Sequence, residues 1–334
     1  FQLAMERGEI QKMMGVYRGL GELSKKSGRP ITFGSLSRKK FPGQWKALYE
    51  IIEEENQQGA RIWTQVHSRE INSILSFETA TPFDSWEVWR DFRKLPLDEQ
   101  LAKLKNDPEL KRKLIEVADK PYEGPEVVGA EARPPEWDMF YHVDKIRLPH
   151  PSMAQIAKER GITPAAAMVE VAIEEDLKAF FRQPLANENQ DDALALMKHP
   201  RSTVTFSDSG AHVSQIMDSS LQTHLLSHWV REEKAFTLEE AVRMITYDTA
   251  TNWGFHDRGL LREGMTADIT VFDAEKVEPR MPEVVNDLPS GAKRLKQYAD
   301  GMMATVVAGQ VVLKENQHTG ALPGQLLRGP LARA

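Results

Sequence analysis

"STVTFSDSGAHVSQIMDSS", residues 202–220, decides how the chain is read. Thr203, Val204, Thr205 and Phe206 predict a short buried strand, and the run ends in Asp208, with Gly210 and His212 close behind. In parallel α/β folds the catalytic groups sit at the C-terminal ends of strands, where loops converge on one cavity. Asp208 is therefore the candidate catalytic group. A carboxylate at such a mouth can hold a metal ion or accept a proton from a metal-bound water. Gly210 lets the backbone turn, and His212 falls within reach as a candidate substrate-binding residue. The alternative is an aspartate that caps the next turn.

The rhythm upstream supports a parallel arrangement. Apolar positions at helical spacing (Leu3, Met5, Ile10, Met13, Met14, Tyr17 and Leu20) predict a helix over 3–24. "ITFGSLS" (31–37) reads as a strand, "FPGQWKALYEIIEEENQQG" as a helix and "ARIWTQVHS" (60–68) as another strand. Short connections between them are the mark of α/β architecture. His67, Arg69 and Glu70 lie at the end of that last strand. His67 is a candidate for touching substrate. Arg69 offers a two-pronged guanidinium to a substrate carboxylate, or else ion-pairs with Glu70 or its neighbours.

Residues of about 75–150, rich in Trp, Phe, Pro and charge, interrupt the rhythm. An interruption this long reads either as a lid that shapes a substrate cavity or as a solvated helical excursion. From 152 the rhythm resumes. Thr163 and Pro164 open a helix, "LKAFFRQP" reads as a strand, and Asn187 and Asn189 follow it as candidate cavity residues. Two more helices come after the opening stretch. His224 and His228 stand four apart on one of them, but no Glu follows the first, so helix packing is preferred to a metal pair. Past Gly259, apolar–polar alternation with glycine turns predicts a small antiparallel β unit.

Composition narrows the classes. The chain has 334 residues, a net charge of -6 and no cysteine. Mild acidity argues against nucleic acid or an anionic membrane as the partner, and no apolar run is long enough to span a bilayer. The absence of thiols excludes disulfides and thiolate ligands and fits a reducing, cytoplasmic setting. No phosphate-cradling glycine loop and no nucleophile elbow occur.

Several stretches together resemble the amidohydrolase superfamily, in its D-aminoacylase (N-acyl-D-amino-acid deacylase) branch. "SDSGAHV" looks like that branch's strand-eight signature. "EEAVRMITYDTATNWGFHDRGLLREGMTADITVFD" resembles its passage out of the barrel, with Asp248 and Thr249 departing from the usual pattern, and "MATVVAGQVVLKENQHTGALPGQLLRG" resembles its closing strands. The resemblance spans roughly residues 200–330 and is looser before that.

It implies the C-terminal part of a (β/α)8 barrel, strands six to eight, over 1–258, and a small β-sandwich domain over 259–334. Ile62, Val204 and Phe206 are expected to line the barrel interior. The implied activity is hydrolysis of the amide of an N-acyl amino acid or related small molecule. One or two zinc ions would serve as cofactor, with Asp208 as proton shuttle and metal ligand. The family's remaining ligands, a His-x-His pair among them, would precede Phe1, and the usual strand-six ligand position falls at Gly34 and Ser35. The barrel is thus expected to need an N-terminal half or a partner chain. The second reading is a non-catalytic or altered amidohydrolase-like subunit with a binding or assembly role.

Overall fold

Two runs rich in Ile, Thr and Val, "ITFG" and "IWTQV", pair in register as parallel strands, and each is preceded by an amphipathic helix that covers one face. The computed structural model describes residues 1–4, 10–121, 135–207, 210–216 and 218–327; Asp208 lies outside them. The chain runs β1 (Gln2–Leu3), α1 (Ile10–Ser27), β2 (Ile31–Gly34), α2 (Gln44–Gln57) and β3 (Ile62–Val66). Leu3, expected at the start of the first helix, sits instead in a strand, where backbone pairing with Thr32 and Phe33 outweighs helical spacing.

After β3 the chain turns at once into β4 (Ile71–Leu75) and enters the insertion. This comprises α3 (Glu87–Arg93), α4 (Leu97–Asn106), α5 (Pro108–Ala118), β5 (Tyr141–His142), α6 (Met153–Arg160), α7 (Pro164–Glu174) and β6 (Phe181–Ala186). β6 is antiparallel to both β4 and β5, and Leu75 faces Phe181 across the ladder. The insertion is no solvated excursion. Trp89, Phe83, Phe140, Met153 and Phe181, all essentially inaccessible, form its own core. α6 and α7, which the sequence reading gave to the resumed α/β rhythm, belong to this core, and β6, expected to continue that rhythm, joins β4 and β5 rather than the parallel sheet. Thr163 caps α7 as expected, accepting from the amide of Ala166 at 3.3 Å.

The chain then returns through α8 (Gln190–Lys198) to β7 (Ser202–Val204), which pairs parallel with β3. The sheet order is β1-β2-β3-β7. α9 (Leu221–His224) continues as a π-helical stretch over Leu225–Glu232, followed by α10 (Leu238–Ile245) and α11 (Tyr247–Trp253).

Strand alternation reverses one expectation. Ile31, Phe33 and Ile62 pack with Met13, Tyr17, Leu48 and Ile52 of α1 and α2, and Val66 and Val204 pack with Leu196, Leu225 and Trp229. Ile62 and Val204 therefore face the helices. Because successive side chains point to opposite faces, the other face carries Thr32, Gly34, Gln65 and Thr203. Gln65 donates to Thr32 Oγ1 at 3.4 Å there and accepts from Thr205 Oγ1 at 3.5 Å. Phe206 lies against Gly34 on this polar face.

The last strands are β8 (Ile269–Phe272), β9 (Glu278–Pro279), β10 (Glu283–Val285), β11 (Arg294–Lys296), β12 (Ala299–Asp300), β13 (Met302–Val307), β14 (Gln310–Lys314) and β15 (Gln317–His318). β15-β14-β13-β8 form the expected antiparallel sheet, and β9 pairs with β12 and β10 with β11. None of the residues of β8, β13, β14 and β15 is fully buried. Among the described residues no helix is long and apolar enough to cross a membrane.

The α1–α2 contact supplies a test of packing. A Cβ on Gly21 would collide with the side chain of Glu55, a buried carboxylate that accepts from Lys25 Nζ at 3.1 Å. Gly15, on the same helix, has open space around it. Gly21→Ala is expected to destabilise by about 1–3 kcal/mol through overpacking. Gly15→Ala should stabilise by up to roughly 1 kcal/mol through helix propensity. Urea unfolding of the two variants checks the opposite signs.

Candidate active site at the strand ends

The ladder between β3 and β7 runs on beyond the strands, since Phe206 donates its amide to Val66 O at 3.3 Å. The segment leading to Asp208 therefore leaves the sheet at the edge where β3 ends in His67. His67 is fully buried, and its Nδ1 accepts from the Arg69 amide at 3.0 Å. The same Nδ1 lies 3.1 Å from Arg69 O, so the ring is held against both backbone groups of Arg69. Ser68 is held as tightly, donating to Leu221 O at 2.6 Å and accepting from Trp229 Nε1 at 2.6 Å. The β3–β4 turn is thereby fixed against α9 and the π-helical stretch.

Asn187 joins this turn. It is fully buried with φ of 57°, in the left-handed region that asparagine tolerates. Its Oδ1 accepts from the Ser37 amide at 2.9 Å and its Nδ2 donates to Arg69 O at 3.2 Å. The side chain thus spans the ends of β2 and β3. Asn189 caps α8, accepting from the amides of Asp191 and Asp192 at 2.9 and 3.2 Å. His212 is exposed on the loop beyond Gly210. That loop is pinned to the insertion, since Ile74 donates its amide to Gln215 O at 2.6 Å. The structure therefore brings His67, Arg69 and Asn187 together and sets the His212 side chain toward solvent.

Arg69 does not pair with Glu70. Its guanidinium donates to Ser220 Oγ at 2.8 Å. Glu70 is bonded instead by Arg182 of β6, a residue only 5% exposed. Arg182 also donates from Nε to His150 Nδ1 at 2.9 Å, and its guanidinium lies 4.1 Å from the centre of the Tyr141 ring. His150 Nε2 donates to Lys145 O at 2.7 Å, which completes its neutral tautomer. Burial raises the Glu70 carboxyl above its ordinary range, opposed by the charges of Arg182 and Arg69.

A family model of the amidohydrolase family matches residues 141–313, just over half of the chain. The chain belongs to the amidohydrolase family. Over 168 residues this amidohydrolase is 30% identical to an N-acyl-D-aspartate deacylase of Alcaligenes xylosoxydans xylosoxydans, a match covering 50% of this chain and 28% of that protein. It is 33% identical over 103 residues to a D-aminoacylase of the same organism, covering 31% and 19%. A solved D-aminoacylase described as having a binuclear metal centre superposes with a TM-score of 0.51 at 17% identity, covering 96% of this chain and 54% of its own. An N-acyl-D-glutamate deacylase from Bordetella bronchiseptica, solved with zinc and a phosphonate inhibitor, gives 0.52 at 17% identity, covering 97% and 55%. The relatives fit the D-aminoacylase branch, and the mixed α/β fold matches theirs. The chain spans about half the length of these solved relatives.

The described residues of this amidohydrolase do not fit a zinc site. Among them no three His, Asp or Glu side chains gather as a metal cluster. At the strand-six position a Cβ on Gly34 would already stand 3.0 Å from the Phe206 ring, so a histidine there needs that ring displaced. His224 and His228 stack at 4.9 Å and belong to the helix packing.

The buried cluster of Glu70, Arg182 and His150 escaped sequence reasoning. An arginine inside the apolar run "AFFRQP" was its one visible signal, since a buried cation requires a partner. Burial lowers His150 to about 4, with the Arg182 charge adding to the effect. The unfolded chain takes up a proton near 6.5 and the folded one only near 4, so stability at neutral pH is lost as pH falls through that window. His150→Gln is expected to flatten the fall between pH 6.5 and 4 in urea titrations.

Proposed function

We propose that this chain is part of an amide hydrolase that deacylates N-acyl amino acids, with Asp208 as the group that moves the proton. One observation carries the reading. The family match runs through the segment leaving β7, and that segment exits at the edge where His67 and Arg69 stand. Asp208 accepts the proton of the attacking water and returns it to the departing amine. Arg69 holds the substrate carboxylate. Asn187 and His67 fix the turn that carries Arg69, and His212, on the loop beyond Gly210, is the remaining candidate for contacting substrate. Zinc remains the cofactor implied by resemblance. Asp208 would be this chain's ligand to it, and the described residues gather no further cluster of ligands beside it.

The four parallel strands are the closing strands of a (β/α)8 barrel within residues 1–258, and residues 259–334 form the small β domain. Among the described residues β7 lies at the end of the sheet order, and we infer that its outer edge takes a further strand, from an N-terminal half or a partner chain.

The test is amine release from N-acetyl-D-aspartate, N-acetyl-D-glutamate and N-acetyl-D-leucine by the longest form of the protein, with zinc supplied. Release from at least one is expected; none from any would overturn the proposal. The ring of Phe206 against Gly34 favours a second reading, an altered subunit that binds without hydrolysis. Protein that retains no metal and gains no activity from added zinc would support it.

A further inference from the structure

A cavity of about 30 Å³ lies between the β3–β4 turn, α9 and the loop before α6, with Arg69, Glu70, Arg182, His150 and His224 in its wall. Its charges are unevenly matched. Arg182 is neutralised by Glu70, and His150 is neutral, with both ring nitrogens bonded. Arg69 has no acidic partner among the described residues and uses one guanidinium N–H on Ser220. Its amide and carbonyl are both fixed, by His67 and Asn187, so the side chain is preorganised. His224 Nε2 is sealed from solvent and has no hydrogen-bond partner among the described residues. The wall holds two guanidinium groups against the one carboxylate of Glu70, and an unpartnered buried nitrogen beside them costs stability unless a ligand or a water answers it. Burial, then the charge of Arg69, holds the His224 imidazole well below its usual range, so the ring can offer one N–H as a neutral donor.

We infer that Arg69 and His224 form a buried subsite for one carboxylate, which accepts oxygen-to-nitrogen hydrogen bonds from both side chains. This rests on the proposed deacylation for its biological substrate and adds His224 as the second member of the subsite. One unbalanced cation and so small a cavity select a flat monoanion. A tetrahedral dianion such as phosphate is too large and carries too much charge.

Formate is the probe, since it presents a carboxylate without requiring catalysis. Titrating formate into the full chain at constant ionic strength, while following the His224 imidazole nitrogens by NMR, should give a saturable shift of Nε2. Phosphate should give none. Arg69→Gln should weaken formate binding at least about tenfold. Arg69→Lys, which keeps the charge and loses the fork, should bind it with intermediate strength and serves if the Gln variant fails to fold. No shift at His224, an equal shift with phosphate, or unchanged binding in both variants would overturn the subsite and leave a buried water as the partner of His224. Formate binding in a protein that hydrolyses no N-acyl substrate would retain the subsite and remove the deacylase reading. Hydrolysis without formate binding would do the reverse.

Discussion

Asp208→Asn is expected to lower turnover of an N-acyl amino acid by roughly 10²–10⁴-fold while leaving KM nearly unchanged. Asn keeps the shape of the side chain and removes its ability to take a proton, so the loss should fall on kcat. The residue follows a strand only three residues long, Ser202–Val204, whose ladder to β3 is extended by the Phe206 amide. An isosteric change should leave that ladder intact, and the urea midpoint should stay within about 0.5 kcal/mol of the parent. Steady-state kinetics with unfolding curves on the same preparation separates the two effects. Undiminished turnover would remove Asp208 from the mechanism.

Arg182→Met carries the largest expected effect on stability, about 3–5 kcal/mol at neutral pH, because it strands a buried carboxylate. Glu70 would lose its ion pair and His150 the donor to its Nδ1. The penalty depends on pH in a defined direction. Burial already raises the Glu70 carboxyl, and without Arg182 it rises further. The unfolded chain ionises near the ordinary carboxyl value, so the variant loses stability as pH climbs above that value and recovers some of it in acid. Adding Glu70→Gln should return part of the loss, making the pair of changes less costly than their sum. Urea unfolding at pH 5 and pH 8 reads both. Equal penalties at the two values would mean that Arg182 acts through packing on Tyr141 alone.

The α/β frame was legible because β2 and β3 are bounded by glycine and separated by a helix with a clear apolar stripe. β4 was not. "INSIL" is buried along its whole length, so it shows no alternation, and its partner β6 lies more than a hundred positions away. The direction of Ile62 and Val204 was misread because a two-sided buried strand does not say which face meets helices; the polar residues between them, Gln65 and Thr203, held that information. In the site, Arg69 was legible as a strand-end cation, but its freedom from Glu70 was not. That depends on Arg182, which is brought to Glu70 only by the β4–β6 pairing.

That pairing has a consequence for how the molecule can change. The chain departs for the insertion at Leu75 and comes back at Phe181, neighbours across a single rung of one ladder. More than a hundred residues therefore begin and end at practically the same point in space. Such a module can be exchanged for another of different size, by recombination or by design, with little entropic penalty for closing the junction. The graft must present two antiparallel ends and keep an arginine at 182, and Asn187 would then set the mouth as before.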